Sequence, residues 1–259
     1  MQPRLNIALK ACRSASDILL RLYKAKDQDE LRSSEKINEL LYIHIVNIIS
    51  ESYPLGENDI LGPTYIKLKQ ISDFKEEYFQ DNVSNNEEKF VWVINPLDSY
   101  ENFANKLPLY NITITIFQNN EAMAALIYNP ILDELITAIK GEGAMNENNK
   151  IRNNNLSANK MLYIIKDNKL KLNFESIIDG QSRNIGSKST ELVYLSEGKI
   201  DLFIDTDIEI WDSAAGVLIC KESGVMITDQ KGDDNIFESK SIVGAKDWLH
   251  QKIIKKLTY

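Results

Sequence analysis

Residues 92–103 read WVINPLDSYENF, and residues 211–224 read WDSAAGVLICKESG. In the first stretch a short apolar run at residues 90–94 has the length of a buried strand, and it ends at Asn95-Pro96-Leu97-Asp98-Ser99. Polar oxygens and free backbone amides therefore emerge together at a strand end, followed by Tyr100-Glu101-Asn102-Phe103. The second stretch opens a helix with Trp211-Asp212, and Ala214, Ala215, Val217, Leu218 and Cys220 form its small, apolar face. Taken alone, Asp212 reads as an N-cap or first-turn acid that stabilises the helix dipole by roughly 0.5–2 kcal/mol.

Two amphipathic helices lie upstream. Leu5, Ala8, Leu9, Cys12, Ala15, Leu19 and Leu22 recur at three-to-four spacing. A second stripe of Ile37, Leu40, Leu41, His44, Ile45, Ile48 and Ile49 stops before Ser52-Tyr53-Pro54, because proline disfavours helix in the residue before it. His44 lies on the apolar face with no nucleophile pattern beside it, so it reads as a core histidine bonded to a neighbour; His250 falls in a C-terminal helical stretch. Downstream, residues 112–117 alternate Ile and Thr, and the runs at 123–128 and 134–139 flank the turn signal Asn129-Pro130, which predicts a largely antiparallel meander. Residues 141–160 are rich in Asn and begin with Gly141 and Gly143, which predicts an exposed connection and a division of the chain into 1–150 and 151–259. Past it, strand-like runs at 161–165, 201–205, 224–228 and 241–244 mix with helical runs at 189–197, 212–222 and 246–257, the pattern of a layered α/β half. The polar run at 84–89 reads as a solvated loop.

At 259 residues and 43% hydrophobic, the chain can bury a substantial core without staples. Its 30 Lys+Arg against 38 Asp+Glu leave a net charge of -8, which argues against broad contact with a phosphate backbone, so direct nucleic-acid binding is not expected. Cys12 and Cys220 sit on apolar helical stretches and read as buried free thiols of a reducing compartment. Polar residues interrupt the N-terminus every few positions, unlike a signal peptide, and no stretch approaches the roughly 20 apolar residues of a membrane span. The expectation is a cytoplasmic protein away from the membrane.

Together the two quoted stretches resemble the inositol monophosphatase family. Its first motif is Trp-x-Ile/Val-Asp-Pro-Leu/Ile-Asp-Gly-Thr-x-Asn-Phe, and its second is Trp-Asp-x-Ala-Ala-Gly followed by Glu-Ala-Gly-Gly. Further pieces extend the resemblance over nearly the whole chain. Ser52-Tyr53-Pro54 sits where the family closes its second helix, and Gly141-x-Gly143-Ala144 matches a family turn. Gly186-Ser187 and then Glu197-Gly198-Lys199-Ile200-Asp201 look like its Gly-Ser-Ala and Ala-Gly-Arg-Leu-Asp stretches, and Asn235-Ile236 with the last helix fits its end. The bacterial extragenic suppressor branch is the most similar. What this implies is an α+β fold of the sugar phosphatase kind, a layered α-β-α-β-α sandwich with an N-terminal α+β half and a C-terminal α/β half. It also implies a homodimer, and hydrolysis of phosphomonoesters such as inositol monophosphates with Mg2+.

Hard cations need several carboxylate oxygens while leaving room for phosphate and water. In the family these come from a Gly-Glu-Glu stretch, from both aspartates of the first motif and from the aspartate of the second; a threonine orients the water. By resemblance Asp98 and Asp212 match metal ligands, and Leu97 matches the backbone carbonyl between the paired acids. Asn95 replaces the first aspartate, Ser99 a glycine and Tyr100 the catalytic threonine. Ser99, Tyr100 and Asp212 fall on the phosphate side. Where Gly-Glu-Glu is expected the chain reads Ile60-Leu61-Gly62-Pro63-Thr64, so Pro63 stands in place of a carboxylate, and Asn38 falls near another family aspartate.

These changes act in one direction. Asn95 keeps an oxygen but loses the charge that lets a carboxylate bridge two cations. Ser99 adds a Cβ where glycine takes special backbone angles, and Tyr100 puts a ring where a small hydroxyl belongs. The expectation is a family member with absent or weak Mg2+ binding, lost or weakened phosphatase activity and a binding or regulatory role. By resemblance the partner is the transcription machinery. The alternative is an active Mg2+-dependent phosphatase of a small phosphorylated polyol, completed by Glu57 or Glu101; a structural homodimer without ligand is a third reading.

Overall fold

The first predicted stripe forms helix α1 (Gln2–Lys24), and Leu5, Ala8, Cys12, Ala15 and Leu19 are its buried face. The computed structural model describes residues 1–24, 33–54, 58–63, 90–153, 160–175 and 178–258. Helix α2 (Ser34–Ser52) starts at Ser33, whose side chain accepts from the Lys36 amide, and ends ahead of Pro54. It buries Ile37, Leu41, Ile45 and Ile49. Leu40, expected in the same stripe, is 51% exposed, so the stripe is narrower than its spacing predicts. His44 Nε2 lies 2.8 Å from Ser14 Oγ on α1.

Both helices pack on one face of a seven-stranded sheet. Strand β1 (Asn58–Leu61) pairs in parallel with β2 (Phe90–Asp98); thereafter β3 (Asn111–Gln118), β4 (Glu121–Asn129), β5 (Glu134–Ile139), β6 (Gly143–Asn146) and β7 (Asn149–Ile151) follow as an antiparallel meander. Side chains alternate between faces. Ile112, Ile114, Ile116, Ala124 and Leu126 meet α1 and α2, while Ala125 and Ile127 face the other way. Strands β6 and β7 correct the expectation of an exposed connection beginning at residue 141: Gly141, Gly143 and Glu147 take positive φ and fold this polar stretch into hairpins. The loop expected at 84–89 lies outside the described residues.

The opposite face of this sheet meets helices α5 (Lys188–Ser196) and α6 (Ile210–Ser223) through Val193, Ala215, Leu218 and Ile219. Their other side covers a second sheet, ordered β11-β12-β10-β8-β9, through Leu192, Leu195, Val217 and Cys220 against Ile164, Phe203 and Ile242. These strands are β8 (Met161–Ile165), β9 (Gly180–Ser182), β10 (Leu202–Asp205), β11 (Met226–Thr228) and β12 (Ile242–Ala245). Helices α4 (Asn168–Glu175) and α8 (Asp247–Thr258) close the outer face through Phe174, Leu249 and Ile253. The order is therefore helix, sheet, helix, sheet, helix, with the short helices α3 (Tyr100–Ala104) and α7 (Ile236–Ser239) at the margins. Cys12 and Cys220 are free and buried, and burial pushes both thiols up. No helix among the described residues is long and apolar enough to cross a membrane.

The middle layer depends on close approach. A Cβ on Gly216 would lie 2.6 Å from Leu192 Cβ, inside any normal contact. Gly216→Val is therefore expected to cost about 1–3 kcal/mol through overpacking, read as a lower urea midpoint at unchanged slope.

A second expectation concerns His250, which is buried with Nε2 2.9 Å from Thr228 Oγ1. Burial lowers its pKa below 6.5, against opposing effects of a Val243 backbone hydrogen bond and Asp247. As pH falls below that value the unfolded chain takes up the proton first, so this contribution to stability is present above it and lost on acidification. Between about pH 7.5 and pH 5.5, the Tm of the wild-type protein should fall more than that of His250→Gln. Equal falls would assign the effect to other groups.

Candidate functional site

Strand β2 is buried along nearly its whole length and carries the first motif to the sheet's end. Its register against β3 shifts between Asn95, opposite Thr113, and Asp98, opposite Asn111, so β2 contains one more residue than its partner there. Pro96, which has no amide to donate, sits inside this bulge. Leu97 N donates to Asn95 Oδ1 at 3.2 Å and fixes the asparagine's orientation.

The chain then turns at Ser99, whose φ of 71° and ψ of 74° are left-handed, and enters α3 with Ser99 Oγ accepting from Asn102 N. A serine thus holds a conformation that favours glycine, at a cost of roughly 1–2 kcal/mol. Asn102 ties the turn down by donating to Leu109 O at 2.7 Å and Ile185 O at 3.0 Å.

Asp98 is buried, and its Oδ2 accepts from Ser187 Oγ at 2.8 Å, from Ser189 N at 2.9 Å and from Ser189 Oγ. Ser187 is the N-cap of α5, so the carboxylate lies at the positive end of that helix. Alongside, Asn111 Nδ2 donates to Ser189 Oγ at 2.7 Å and Thr190 Oγ1 at 2.8 Å.

Asp212 sits in the first turn of α6, whose N-cap is Glu209 without a side-chain cap bond. Its Oδ1 accepts from Asn95 Nδ2 at 2.9 Å. Burial, and next the charge of Asp98, push its pKa up to about 7, with the Lys188 ammonium opposing.

These groups line one cleft of about 340 Å³. Every site residue expected from the sequence that falls within the described residues is there: Pro63, Asn95, Leu97, Asp98, Ser99, Tyr100, Glu101 and Asp212, with Asn38. Glu57 lies outside the described residues, and neither histidine is among those that line the cleft. Among the described residues no three His, Cys, Asp or Glu side chains cluster as ligands of one ion.

Two lining residues were not anticipated, Lys166 and Lys188. Lys166 Nζ contacts Glu191 Oε1 at 2.6 Å and Asn184 Oδ1 at 3.0 Å; Glu191 is fully buried and also accepts from Ile185 N and Gly186 N. Lys188 Nζ contacts Asp205 Oδ2 at 3.0 Å and Asp207 O at 3.1 Å. The position of Lys188, next to Gly186-Ser187, was the available signal.

Comparison with known proteins matches the model of the inositol monophosphatase family over residues 1–258. The chain is 28% identical to Nus factor SuhB of Pasteurella multocida over 275 residues, covering 99% of this chain and 96% of the relative. In fold it is similar to inositol monophosphatase-II of Staphylococcus aureus, with a TM-score of 0.80 at 22% identity, 98% of this chain and 95% of that one. It is also similar to the extragenic suppressor protein suhB of Bartonella henselae, with a TM-score of 0.76 at 23% identity, 98% of this chain and 97% of that one.

Because charge-assisted hydrogen bonds of a buried carboxylate hold α5, Asp98→Ala is expected to lower stability by about 2–3 kcal/mol in denaturant unfolding. A neutral or stabilising result would show that Asp98 has no structural part at this joint.

Proposed function

The chain belongs to the inositol monophosphatase family, and from that premise we propose that its metal-dependent phosphatase activity is lost or much weakened and that it acts by binding, in a regulatory role. The observation that carries this reading is the 2.9 Å hydrogen bond from Asn95 Nδ2 to Asp212 Oδ1. At the two positions where the family's resemblance calls for carboxylates sharing cations, one side chain here presents an N–H to the other. An amide turned that way offers no lone pair to an ion, and it already satisfies the acid.

The neighbouring positions point the same way. Pro63 supplies no oxygen ligand from its side chain, and Asp98 gives Oδ2 to three donors on α5. Tyr100 brings a ring to the cleft where the family's threonine would orient water. These residues do not fit a Mg2+ centre of the family kind. Asp98, Asp212 and the Leu97 carbonyl remain at ligand positions, and Ser99, Tyr100 and Asp212 at the phosphate side, as marks of descent. The partner in this reading is the transcription machinery, on the strength of relatives named Nus factor SuhB. A homodimer and a cytoplasmic location belong to the same reading and rest on the family resemblance.

A second reading, an active Mg2+-dependent phosphomonoesterase of inositol monophosphate or a related sugar phosphate, has one observation in its favour. Asp98 and Asp212 are close enough for their charges to oppose each other, a repulsion that a bound cation would relieve, and Glu101 lines the same cleft.

Isothermal titration with Mg2+, run beside phosphate release from inositol 1-phosphate, separates the two. The expected outcome is neither heat nor release; saturable binding with turnover would establish the second reading. The combined variant Asn95→Asp, Pro63→Glu, Tyr100→Thr should acquire a Mg2+-dependent rise in Tm, since a ligand bound only by the folded state stabilises it.

A further inference from the structure

The cleft carries fixed positive charge of its own. Lys166 and Lys188 reach it from either side of the Gly186 loop, and their side chains are 24% and 16% exposed. Each is held from behind by an acid: Lys166 by Glu191, which is fully buried, and Lys188 by Asp205, which is 4% exposed. An ammonium has three N–H donors. In the described structure Lys166 spends two, on Glu191 Oε1 and Asn184 Oδ1, and Lys188 spends two, on Asp205 Oδ2 and Asp207 O. One donor on each remains for whatever occupies the cleft.

The acids of the cleft are turned to protein partners. Asp98 Oδ2 takes Ser187 and Ser189, and Asp212 Oδ1 takes the Asn95 amide. The stretch that resembles the family's Gly-Ser-Ala places Lys188 where that motif has alanine. Loss of a carboxylate at Asn95 and gain of an ammonium at Lys188 shift the local charge in the same direction, toward an anionic occupant.

We propose that this cleft binds a phosphate monoester dianion directly on Lys166 and Lys188, without a divalent cation. The inference rests on the reading that the metal-dependent reaction is lost, and gives that reading a ligand class. Lysine binds phosphate as a point charge with rotatable donors, and a cleft of about 340 Å³ has the size of a small-molecule site.

The test is calorimetric titration of the full chain in EDTA with inositol 1-phosphate, inorganic phosphate and unphosphorylated inositol. The proposal expects one saturable site for inositol 1-phosphate in EDTA and none for inositol. Binding of inorganic phosphate with equal affinity would assign recognition to the phosphate alone, and weaker binding would add the polyol as a contact; both agree with the proposal.

Charge-neutral double variants keep each buried partner from being left unpaired. Lys188→Met with Asp205→Asn, and Lys166→Met with Glu191→Gln, should each weaken binding at least about tenfold, as expected for loss of a charge-assisted contact worth about 1.4 kcal/mol or more. Lys188→Arg should retain it. If a double variant does not fold, the wild-type titration and Lys188→Arg still decide.

Phosphate ester that binds only after Mg2+ is added, no binding in either condition, or binding that both folded double variants leave unchanged would each overturn the proposal. Release of phosphate with Mg2+ would instead overturn the reading beneath it. Absence of both release and binding would leave that reading standing and this inference refuted.

Discussion

The carboxylate of Asp98 joins the end of the first sheet to the start of the middle helix layer. Its Oδ2 receives two hydroxyls and a backbone amide from Ser187 and Ser189, and Asn111 on the adjacent strand grips Ser189 and Thr190. A buried charge persists only where such donors surround it. The groups come from residues 98, 111 and 187–190, so the joint closes only when the bulge at the end of β2 and the cap of α5 are both formed. Packing of α5 and α6 between the two sheets places the cap there, and the cleft opens beside it.

Backbone and side chains at this cleft respond to different constraints. Ser99 keeps a left-handed φ of 71° where the resembling motif has glycine, so the chain follows its turn in spite of the added Cβ. The bulge at Pro96 still directs Asn95, Leu97 and Asp98 to one side. What differs is the chemistry delivered: an amide donor at Asn95, a phenol ring at Tyr100, an ammonium at Lys188. The layers are held by apolar contacts remote from the cleft, such as Ile114 and Leu126 under α1 and α2 and Ile219 over the other face of the sheet. Substitutions in the cleft can therefore alter its charge without disturbing the fold, which is why family membership alone does not determine activity.

Much of this was legible in the residues because the signals are local. Period-2 alternation in β3 and the turn at Asn129-Pro130 mark the meander, and three-to-four spacing marks α1. Leu40 was misread because spacing shows a stripe but not which flank of it meets the neighbouring element. Strands β6 and β7 were missed because they are short and polar, made by positive-φ turns and pairing to β5 rather than by a buried face of their own. At the site, the stretches at 92–103 and 211–224 were legible for the same local reason: strand-end and helix-start chemistry is written in consecutive residues.

The amino-acid sequence by itself determined the succession of most helices and strands, the identity of the residues at the two motif turns, and the loss of carboxylates at Asn95 and Pro63. Only the tertiary structure decided how those residues are used: that Asn95 donates to Asp212, that Asp98 is committed to α5, and that Lys166 and Lys188 share their cleft. Periodicity and turn preference arise from steric and solvation effects within a few residues. Hydrogen-bond partners and local charge depend on how distant segments are brought into contact, which is set by the packing of whole layers.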